Sequence, residues 1–180
     1  MTRLLFTTPR LRCRQWAAED LDVIHAVYSD PEAMRWVGDG QPISRTACEH
    51  WLEVTWANYS ERGYGMFALE GIDSGAIIGF CGLVHPGGQV EPEVKYALLR
   101  SAWGQGLASE AIPALLAYGH ARHGLDRIIA TVAPENLPSQ RVLLKAGMRL
   151  VEQRRDESGA LDHVYAWLAS GTAAATGQKP

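Results

Sequence analysis

A strand that turns through glycines into a helix constrains the fold of this chain more than any other feature. The apolar run at residues 94–99 predicts a buried strand. Small residues follow at alternate positions, namely Gly104, Gly106 and Ala108. Apolar residues then recur at helical spacing, which indicates a helix; they are Leu107, Ala111, Leu115 and Tyr118. The segment therefore predicts a strand, a glycine turn and a helix in direct succession.

Such a turn is a candidate binding site for a phosphate group. Free backbone N–H groups converge at the start of the helix, and the helix dipole favours an anion there. Gly104 and Gly106 have no Cβ, so a phosphate can approach the main chain. An ordinary turn has the same pattern, and both interpretations stay open here. The chain lacks the Gly-Lys of a P-loop, and Ser109 occupies the third-glycine position of a dinucleotide fingerprint.

The composition predicts one soluble domain over residues 1–170. Of the 180 residues, 47% are hydrophobic and 21% are charged, which is ordinary for a globular protein with a sizeable core. Residues 171–180 show no hydrophobic pattern and are predicted to be a disordered tail. The order of predicted elements, β-α-α-β-β-β-α-β-α-β-β, indicates an α/β fold with a mixed sheet.

Charge and cysteine usage narrow the partners and the compartment. A net charge of −3 and the lack of an apolar run near the ~20 residues of a membrane span argue against nucleic acid and membrane partners. The N-terminal residues also lack the apolar run of a signal peptide. Cys13, Cys48 and Cys81 are an odd number without metal-ligand spacing. We therefore predict buried reduced thiols, no metal site and a cytoplasmic location.

Three segments together resemble the GNAT superfamily of N-acetyltransferases. Asn136, followed three residues later by the small Ser139, opens a segment similar to the superfamily's Asn-led strand–helix unit. Residues 103–108 (Trp-Gly-Gln-Gly-Leu-Ala) are similar to its acetyl-CoA loop. Residues 8–12 (Thr-Pro-Arg-Leu-Arg) are similar to the opening of the branch that includes ribosomal-protein N-terminal acetyltransferases. The resemblance covers about residues 7–170.

The resemblance implies a fold and a way of holding the cofactor. The expected fold is a mixed, mostly antiparallel sheet of about seven strands with about four flanking helices, splayed to admit acetyl-CoA. The pantetheine arm is expected to pair with the strand near residues 96–99, and backbone amides of residues 104–108 to bind the pyrophosphate. The implied cofactor-binding residues are Tyr96, Leu98, Leu99, Gly104, Gln105, Gly106, Leu107, Ala108, Asn136, Ser139 and Arg141. Arg141 and Lys145 are the candidates for neutralising the 3′-phosphate, and a solvated surface position is the alternative for each.

The catalytic residues are less well marked. The superfamily often has a tyrosine seven residues after the Asn as proton donor to the thiolate, and Leu143 stands there. Ser139 stands at the small-residue position, where the ribosomal-type branch often uses serine instead. The resemblance therefore implies that Ser139 donates to the thiolate, unless it is only a first-turn helix serine. Asn136 has two compatible roles, pantetheine binding and an Asx-type helix cap.

Many members of the superfamily place a glutamate base on the strand before the glycine loop, and the resemblance makes Glu93, near that position, the leading candidate for the general base. It shares a strand face with Lys95 and Ala97, which is either the substrate cleft or a solvated edge. His85 and the acidic residues Glu152, Asp156 and Glu157 are weaker candidates. Capping of a strand end is the simpler account of His85.

The predicted function is transfer of acetyl from acetyl-CoA to a primary amine by direct attack in a ternary complex. The acceptor is a protein α-amino group or a small-molecule amine, and a homodimer is compatible with the family. The resemblance implies that the N-terminal helices form one wall of the acceptor site, and the aromatic residues in or beside them are Trp36, Trp51, Trp56 and Tyr59. Core packing is the alternative role, and it explains at least Trp51. Two alternatives remain: a non-catalytic acyl-CoA-binding or regulatory module on the same fold, and the same chemistry with another acyl group, such as succinyl.

Overall fold

The computed structural model describes residues 2–38, 40–155 and 159–169. Its strands are β1 (Leu4–Thr7), β2 (Leu11–Arg14), β3 (Met66–Gly71), β4 (Ile77–Val84), β5 (Glu93–Leu98), β6 (Arg127–Val132), β7 (Arg149–Arg155) and β8 (Leu161–Leu168). Its α-helices are α1 (Leu21–Tyr28), α2 (Pro31–Met34), α3 (Arg45–Arg62), α4 (Leu107–His123) and α5 (Leu137–Lys145). The predicted tail at 171–180, with Asp156 and Glu157, lies outside the described residues.

All the strands join one sheet in the order β1-β2-β3-β4-β5-β6-β8-β7. Every neighbouring pair is antiparallel except β5 and β6, which are parallel. This confirms the mixed, mostly antiparallel α/β sheet that the sequence predicts. None of the helices in the described ranges is both long and apolar enough to cross a membrane.

The structure has two short elements in addition to the predicted seven strands and four helices. The first is β1, which has four residues and lies at one end of the sheet beside β2. The second is α2, which begins where the sequence interpretation saw only the end of α1. Asp30 accepts a hydrogen bond from the Glu32 N–H as the cap of α2, and Pro31 occupies its first turn. An Asp-Pro pair stops one helix and starts another, because proline needs no N–H donor at a helix start.

The sheet buries apolar side chains on both faces. On one face, α4 covers a cluster that includes Phe67, Leu83 and Leu115. On the other face, α1 and α3 cover a cluster that includes Ile24 and Phe80. The three cysteines are buried and free, as predicted. Burial on both faces fixes β3, β4 and β5 as the rigid centre from which the site is built.

Candidate functional site

Strand β5 is fully paired on one edge and open on the other. On the β4 edge, six residue pairs run from Gly79–Leu98 to Val84–Glu93. On the β6 edge, the single residue pair is Glu93–Ile129, and beyond it the strands diverge. The predicted splay is therefore present between these two parallel strands.

The open edge exposes backbone groups of β5 to the gap. The Leu99 N–H donates to β4 at 2.8 Å, whereas the Pro92 carbonyl accepts from Ile129 of β6 at 2.9 Å. In a strand the N–H and C=O of one residue point to the same edge and those of the next residue point to the other, so the backbone groups of Tyr96 and Leu98 face the gap. The Leu98 carbonyl accepts from the Trp103 indole N–H at 2.8 Å. The N–H and C=O of Tyr96 and the N–H of Leu98 remain for an extended ligand.

Glu93 lies at the point where the strands separate. Its carboxylate accepts hydrogen bonds from the Thr131 N–H at 3.3 Å, from Lys95 Nζ at 2.5 Å and from Gln89 Nε2 at 3.1 Å. The residue is 2% exposed and does not line the cleft. A buried carboxylate requires such partners to offset its desolvation. Glu93 thus completes the hydrogen bonding of β6 where the backbone of β5 no longer reaches it, and its role as base stays a prediction.

The glycine loop joins β5 to α4 with two residues in the left-handed region. Gly104 has φ of +72° and Gly106, the cap residue of α4, has φ of +76°, conformations in which a side chain is strained. The first helical bond runs from the Glu110 N–H to the Gly106 carbonyl, so the amides of Leu107 and Ala108 have no partner within the helix. A Cβ at Gly104 would meet no atom within 4 Å. The loop therefore offers amides and free space together.

Helix α5 forms the opposite wall of the gap. Asn136 Oδ1 accepts from the Ser139 N–H at 3.2 Å, so the predicted helix cap is present and the amide nitrogen is left for a ligand. Ser139 Oγ lies 2.7 Å from the Tyr96 hydroxyl. Burial raises the pKa of Tyr96 to about 12, although the hydrogen bond with Ser139 opposes the shift. The phenol therefore keeps its proton at neutral pH.

The Tyr96 hydroxyl is the feature that the sequence analysis missed. The sequence predicts Tyr96 only as part of the strand that pairs with pantetheine. No spacing rule links its hydroxyl to a serine 43 positions away. Leu143, where the superfamily often has tyrosine, is 1% exposed and belongs to the core. The site therefore has a phenol, but it comes from β5 rather than from α5.

A cleft of about 840 Å³ joins these parts and passes between the two strands. Of the predicted cofactor-binding residues, all but Leu99 and Gln105 line it. Leu99 packs in the core cluster of α1 and α3, and the Gln105 side chain donates to the Ser101 carbonyl at 2.7 Å. Additional lining residues include Lys95, Thr131 and Lys145.

The far wall of the cleft comes from α2 and the residues after it. Trp36 lines the cleft and is 42% exposed, with the Arg35 guanidinium 5.0 Å from its ring centroid. The other predicted wall aromatics do not line the cleft. Trp51 packs on Phe80 and Tyr28, Trp56 donates to the Trp16 carbonyl, and Tyr59 donates to the Met66 carbonyl.

Two weaker base candidates lie away from the cleft lining. His85 is held between the Tyr64 hydroxyl, at 2.8 Å, and the Gln89 carbonyl, at 2.9 Å, which fits a strand-end role. Glu152 is exposed on β7. Neither residue lines the cleft.

Comparisons with known proteins identify the family of this chain. The family model described as the acetyltransferase (GNAT) domain matches residues 10–149. The uncharacterized N-acetyltransferase p20 of Bacillus licheniformis is 32% identical over 88% of this chain and 91% of its own length. The uncharacterized N-acetyltransferase YoaA of Bacillus subtilis is 31% identical over 81% and 82% of the two chains.

Solved structures have the same fold. A GNAT-family acetyltransferase from Bacillus anthracis has a TM-score of 0.78 at 26% identity, covering 93% of this chain and 98% of its own. The ribosomal-protein α-N-acetyltransferase RimL, solved in complex with coenzyme A, has a TM-score of 0.79 at 16% identity, covering 92% and 98%. The second likeness supports the fold alone. The chain belongs to the GNAT acetyltransferase family and is an acetyltransferase enzyme, as the sequence predicts.

Proposed function

We propose that the cleft binds acetyl-CoA and transfers its acetyl group to a primary amine by direct attack in a ternary complex. The observation that carries this proposal is the continuity of the cleft. It runs from the glycine loop, through the gap between β5 and β6, to the wall formed by α2. A thioester and an amine that enter from opposite ends can therefore meet inside the gap, which favours reaction by proximity and orientation.

The cofactor fits the backbone groups that the site leaves free. The pantetheine amides pair with Tyr96 and Leu98 as an added strand would. The pyrophosphate accepts hydrogen bonds from amides at the start of α4. Asn136 contacts pantetheine through its side-chain amide, while Arg141 and Lys145 provide positive charge on the α5 side of the cleft. This assignment is supported by the coenzyme A complex of RimL, which shares the fold.

Ser139 is the proposed donor to the departing thiolate. The amine nitrogen attacks the thioester carbonyl carbon, a new C–N bond forms, and the C–S bond breaks with its electron pair going to sulfur. The two hydroxyls are 2.7 Å apart, and we assign the protonated Tyr96 phenol as the hydrogen-bond donor and Ser139 Oγ as the acceptor. With that assignment the single Ser139 hydroxyl hydrogen is free to point at sulfur. A donor aimed at a developing negative charge is among the larger contributions to catalysis.

The amine must lose a proton, and two roles are open to Glu93. As the general base it takes that proton, which requires the carboxylate to exchange a present partner for the amine. As a structural residue it holds β6 at the start of the gap by accepting the hydrogen bond from the Thr131 N–H, and the amine proton leaves through water in the cleft. The three hydrogen bonds and the 2% exposure of Glu93 support the second role more directly.

The acceptor site is proposed to lie against Trp36 and Arg35 at the α2 end of the cleft. An exposed indole and a neighbouring guanidinium suit a peptide N-terminus or a small amine with an apolar or anionic part.

We further propose that residues 1–170 act as one domain in the cytoplasm, consistent with three buried free thiols. A homodimer is a separate prediction that sedimentation equilibrium tests.

Release of free CoA thiol, measured with an amine panel, tests the proposed function. The panel contains peptides with a free α-amino group, the same peptides with an acetylated N-terminus, lysine, and spermidine. The proposal predicts thiol release that requires a free amine, with a matching mass increase of one acetyl group on the acceptor. Binding of acetyl-CoA without turnover on any amine would instead support the non-catalytic alternative. A larger rate with succinyl-CoA than with acetyl-CoA would identify a different acyl group.

A further inference from the structure

Three residues tie the N-terminal segment to the start of α4. Glu110 Oε1 accepts from the Thr8 hydroxyl at 2.5 Å and from the Arg10 N–H at 2.8 Å, and its Oε2 accepts from Arg10 Nε at 2.6 Å. Thr8 and Arg10 belong to the Thr-Pro-Arg-Leu-Arg opening, to which the proposed function assigns no role. Partial burial would raise the pKa of Glu110, but the hydrogen bonds from Thr8 and Arg10 outweigh it and lower that pKa. The carboxylate is thus held charged.

The same arginine reaches the glycine loop. Arg10 Nη1 donates to the Gln105 carbonyl at 2.9 Å. In a trans peptide the carbonyl and the following N–H point in opposite directions. Fixing the Gln105 carbonyl towards Arg10 therefore turns the Gly106 N–H away from Arg10. This peptide is the one that leads into α4, where the phosphate amides converge.

The guanidinium also lies close to the loop in space. A Cβ at Gly106 would lie 3.8 Å from Arg10 Nη2, and the Arg10 side chain is 49% exposed. The positive charge thus lies behind the loop, where Glu110 restrains it. Arg10 itself does not line the main cleft. An effect of Arg10 on a ligand in the cleft must therefore be indirect. It acts through the conformation of the glycine loop or through the electrostatic field of the guanidinium.

We propose that Arg10 is a positioning residue for the cofactor's phosphates. It holds the Gln105–Gly106 peptide in the orientation that presents amides to the pyrophosphate, and Glu110 and Thr8 hold Arg10. The proposal rests on the proposed function, since it assumes that acetyl-CoA binds at the glycine loop. It gives residues of the chain's opening segment a role in a site built from β5, α4 and α5.

A truncated substrate separates this role from a general effect on the fold. Acetyl-pantetheine carries the thioester but no pyrophosphate, so it does not use the loop. For Arg10→Ala we expect the KM for acetyl-CoA and the Kd for CoA to rise about tenfold or more, since hydrogen bonds to charged groups have that weight. The kcat/KM for acetyl-pantetheine and the kcat at saturating acetyl-CoA should stay within about twofold.

Arg12→Ala is the matched control. Arg12 lies on the same segment and pairs with Glu70 at 3.3 Å, and its side chain is 45% exposed, close to the 49% of Arg10. It contacts neither the loop nor the cleft, so both substrates should be used as by the wild type. If Arg10→Ala fails to fold, Arg10→Lys takes its place. A lysine can reach Glu110 or the Gln105 carbonyl but cannot replace the guanidinium fork at both, so a smaller rise of the same kind is expected.

Each outcome decides the proposal. Wild-type-like CoA affinity in Arg10→Ala overturns the role of Arg10 and leaves the proposed function intact. Equal losses for acetyl-CoA and acetyl-pantetheine also overturn it, because they indicate a general distortion. If the wild type itself does not bind CoA, the proposed function fails and the role of Arg10 fails with it.

Discussion

The two edges of β5 have opposite properties although they belong to the same six-residue strand. On the β4 edge there is no spare room: a Cβ at Gly79 would lie 2.3 Å from the Ala97 carbonyl oxygen and 2.7 Å from Leu98 Cα. On the β6 edge the single pair at Glu93 gives way to a cleft of about 840 Å³, and a Cβ at Gly104 would meet nothing within 4 Å. One edge therefore contributes stability and the other provides the binding space. Substitutions should affect the two properties separately.

The largest expected effect is on the closed edge. Gly79→Ala places a methyl group into backbone atoms that cannot move without breaking the β4–β5 ladder, so we expect a loss of about 3 kcal/mol or more in unfolding free energy. Chemical denaturation measures it. Gly75→Ala is the control, because Gly75 has φ of +64° with open space around it and should lose only about 1–2 kcal/mol from backbone strain. Equal losses in the two variants would contradict the tight packing of the closed edge.

The next effect is on catalysis at the open edge. Ser139→Ala removes the proposed thiolate donor, so we expect kcat to fall about 100-fold with little change in the KM for acetyl-CoA. Tyr96→Phe removes only the hydroxyl that orients Ser139, so we expect kcat to fall about tenfold in this variant. The double variant should resemble Ser139→Ala alone, since both changes act through one hydroxyl. Ser60→Ala, on the exposed surface of α3, is the control. An unchanged kcat in Ser139→Ala would remove Ser139 from the mechanism.

A smaller effect distinguishes the two roles of Glu93. Glu93→Gln keeps an oxygen that can accept from the Thr131 N–H but cannot accept a proton. If Glu93 only holds β6 at the start of the gap, kcat should fall about tenfold or less and its dependence on pH should keep the wild-type shape. A fall of about 100-fold or more, with loss of the acidic limb of the pH–rate profile, would identify Glu93 as the general base.

The smallest effect concerns the hydrogen bonds that Thr8 and Arg10 donate to Glu110 behind the glycine loop. Partial burial would raise the pKa of Glu110, but the hydrogen bonds from Thr8 and Arg10 hold that pKa below its ordinary value in the folded protein. A carboxyl with a lowered folded pKa contributes stability above the unfolded pKa and loses it as pH falls through the folded pKa. The wild type should therefore lose more stability between pH 6 and pH 3 than Glu110→Gln does, as denaturant midpoints would show. A parallel loss in both proteins would exclude a charged Glu110 from these hydrogen bonds.

Local patterns allowed the sequence to predict much of the site. The strand, the glycine turn and the helix of residues 94–118 are set by neighbouring residues, and so is the Asn136 cap of α5. Splaying of the sheet was expected only from the family resemblance, because spacing along one strand says nothing about where a neighbouring strand leaves it. The short α2, which directly precedes Trp36 in the wall of the cleft, is missed because its Asp-Pro start has the pattern of a helix end.

The unpredicted contacts join residues that are far apart in the sequence. Tyr96 and Ser139 are 43 positions apart, Glu93 and Thr131 are 38 apart, and Arg10 and Gln105 are 95 apart. Each pair forms only because sheet order brings its strands and loops together. Periodicity records which face of an element is buried, but not which distant side chain it meets.

Calorimetric titration with acetyl-CoA of three proteins, the wild type, Gly104→Trp and Gly124→Trp, tests the central claim most directly. The two glycines are matched, since both have positive φ, +72° and +63°, and open space around the Cβ position. Gly104 lines the cleft, whereas Gly124 caps the far end of α4. We predict that the wild type and Gly124→Trp bind acetyl-CoA with similar Kd. We predict that Gly104→Trp shows no binding at an acetyl-CoA concentration about 100 times the wild-type Kd. Wild-type affinity in Gly104→Trp, or no binding by the wild type, would contradict the glycine loop as the cofactor site.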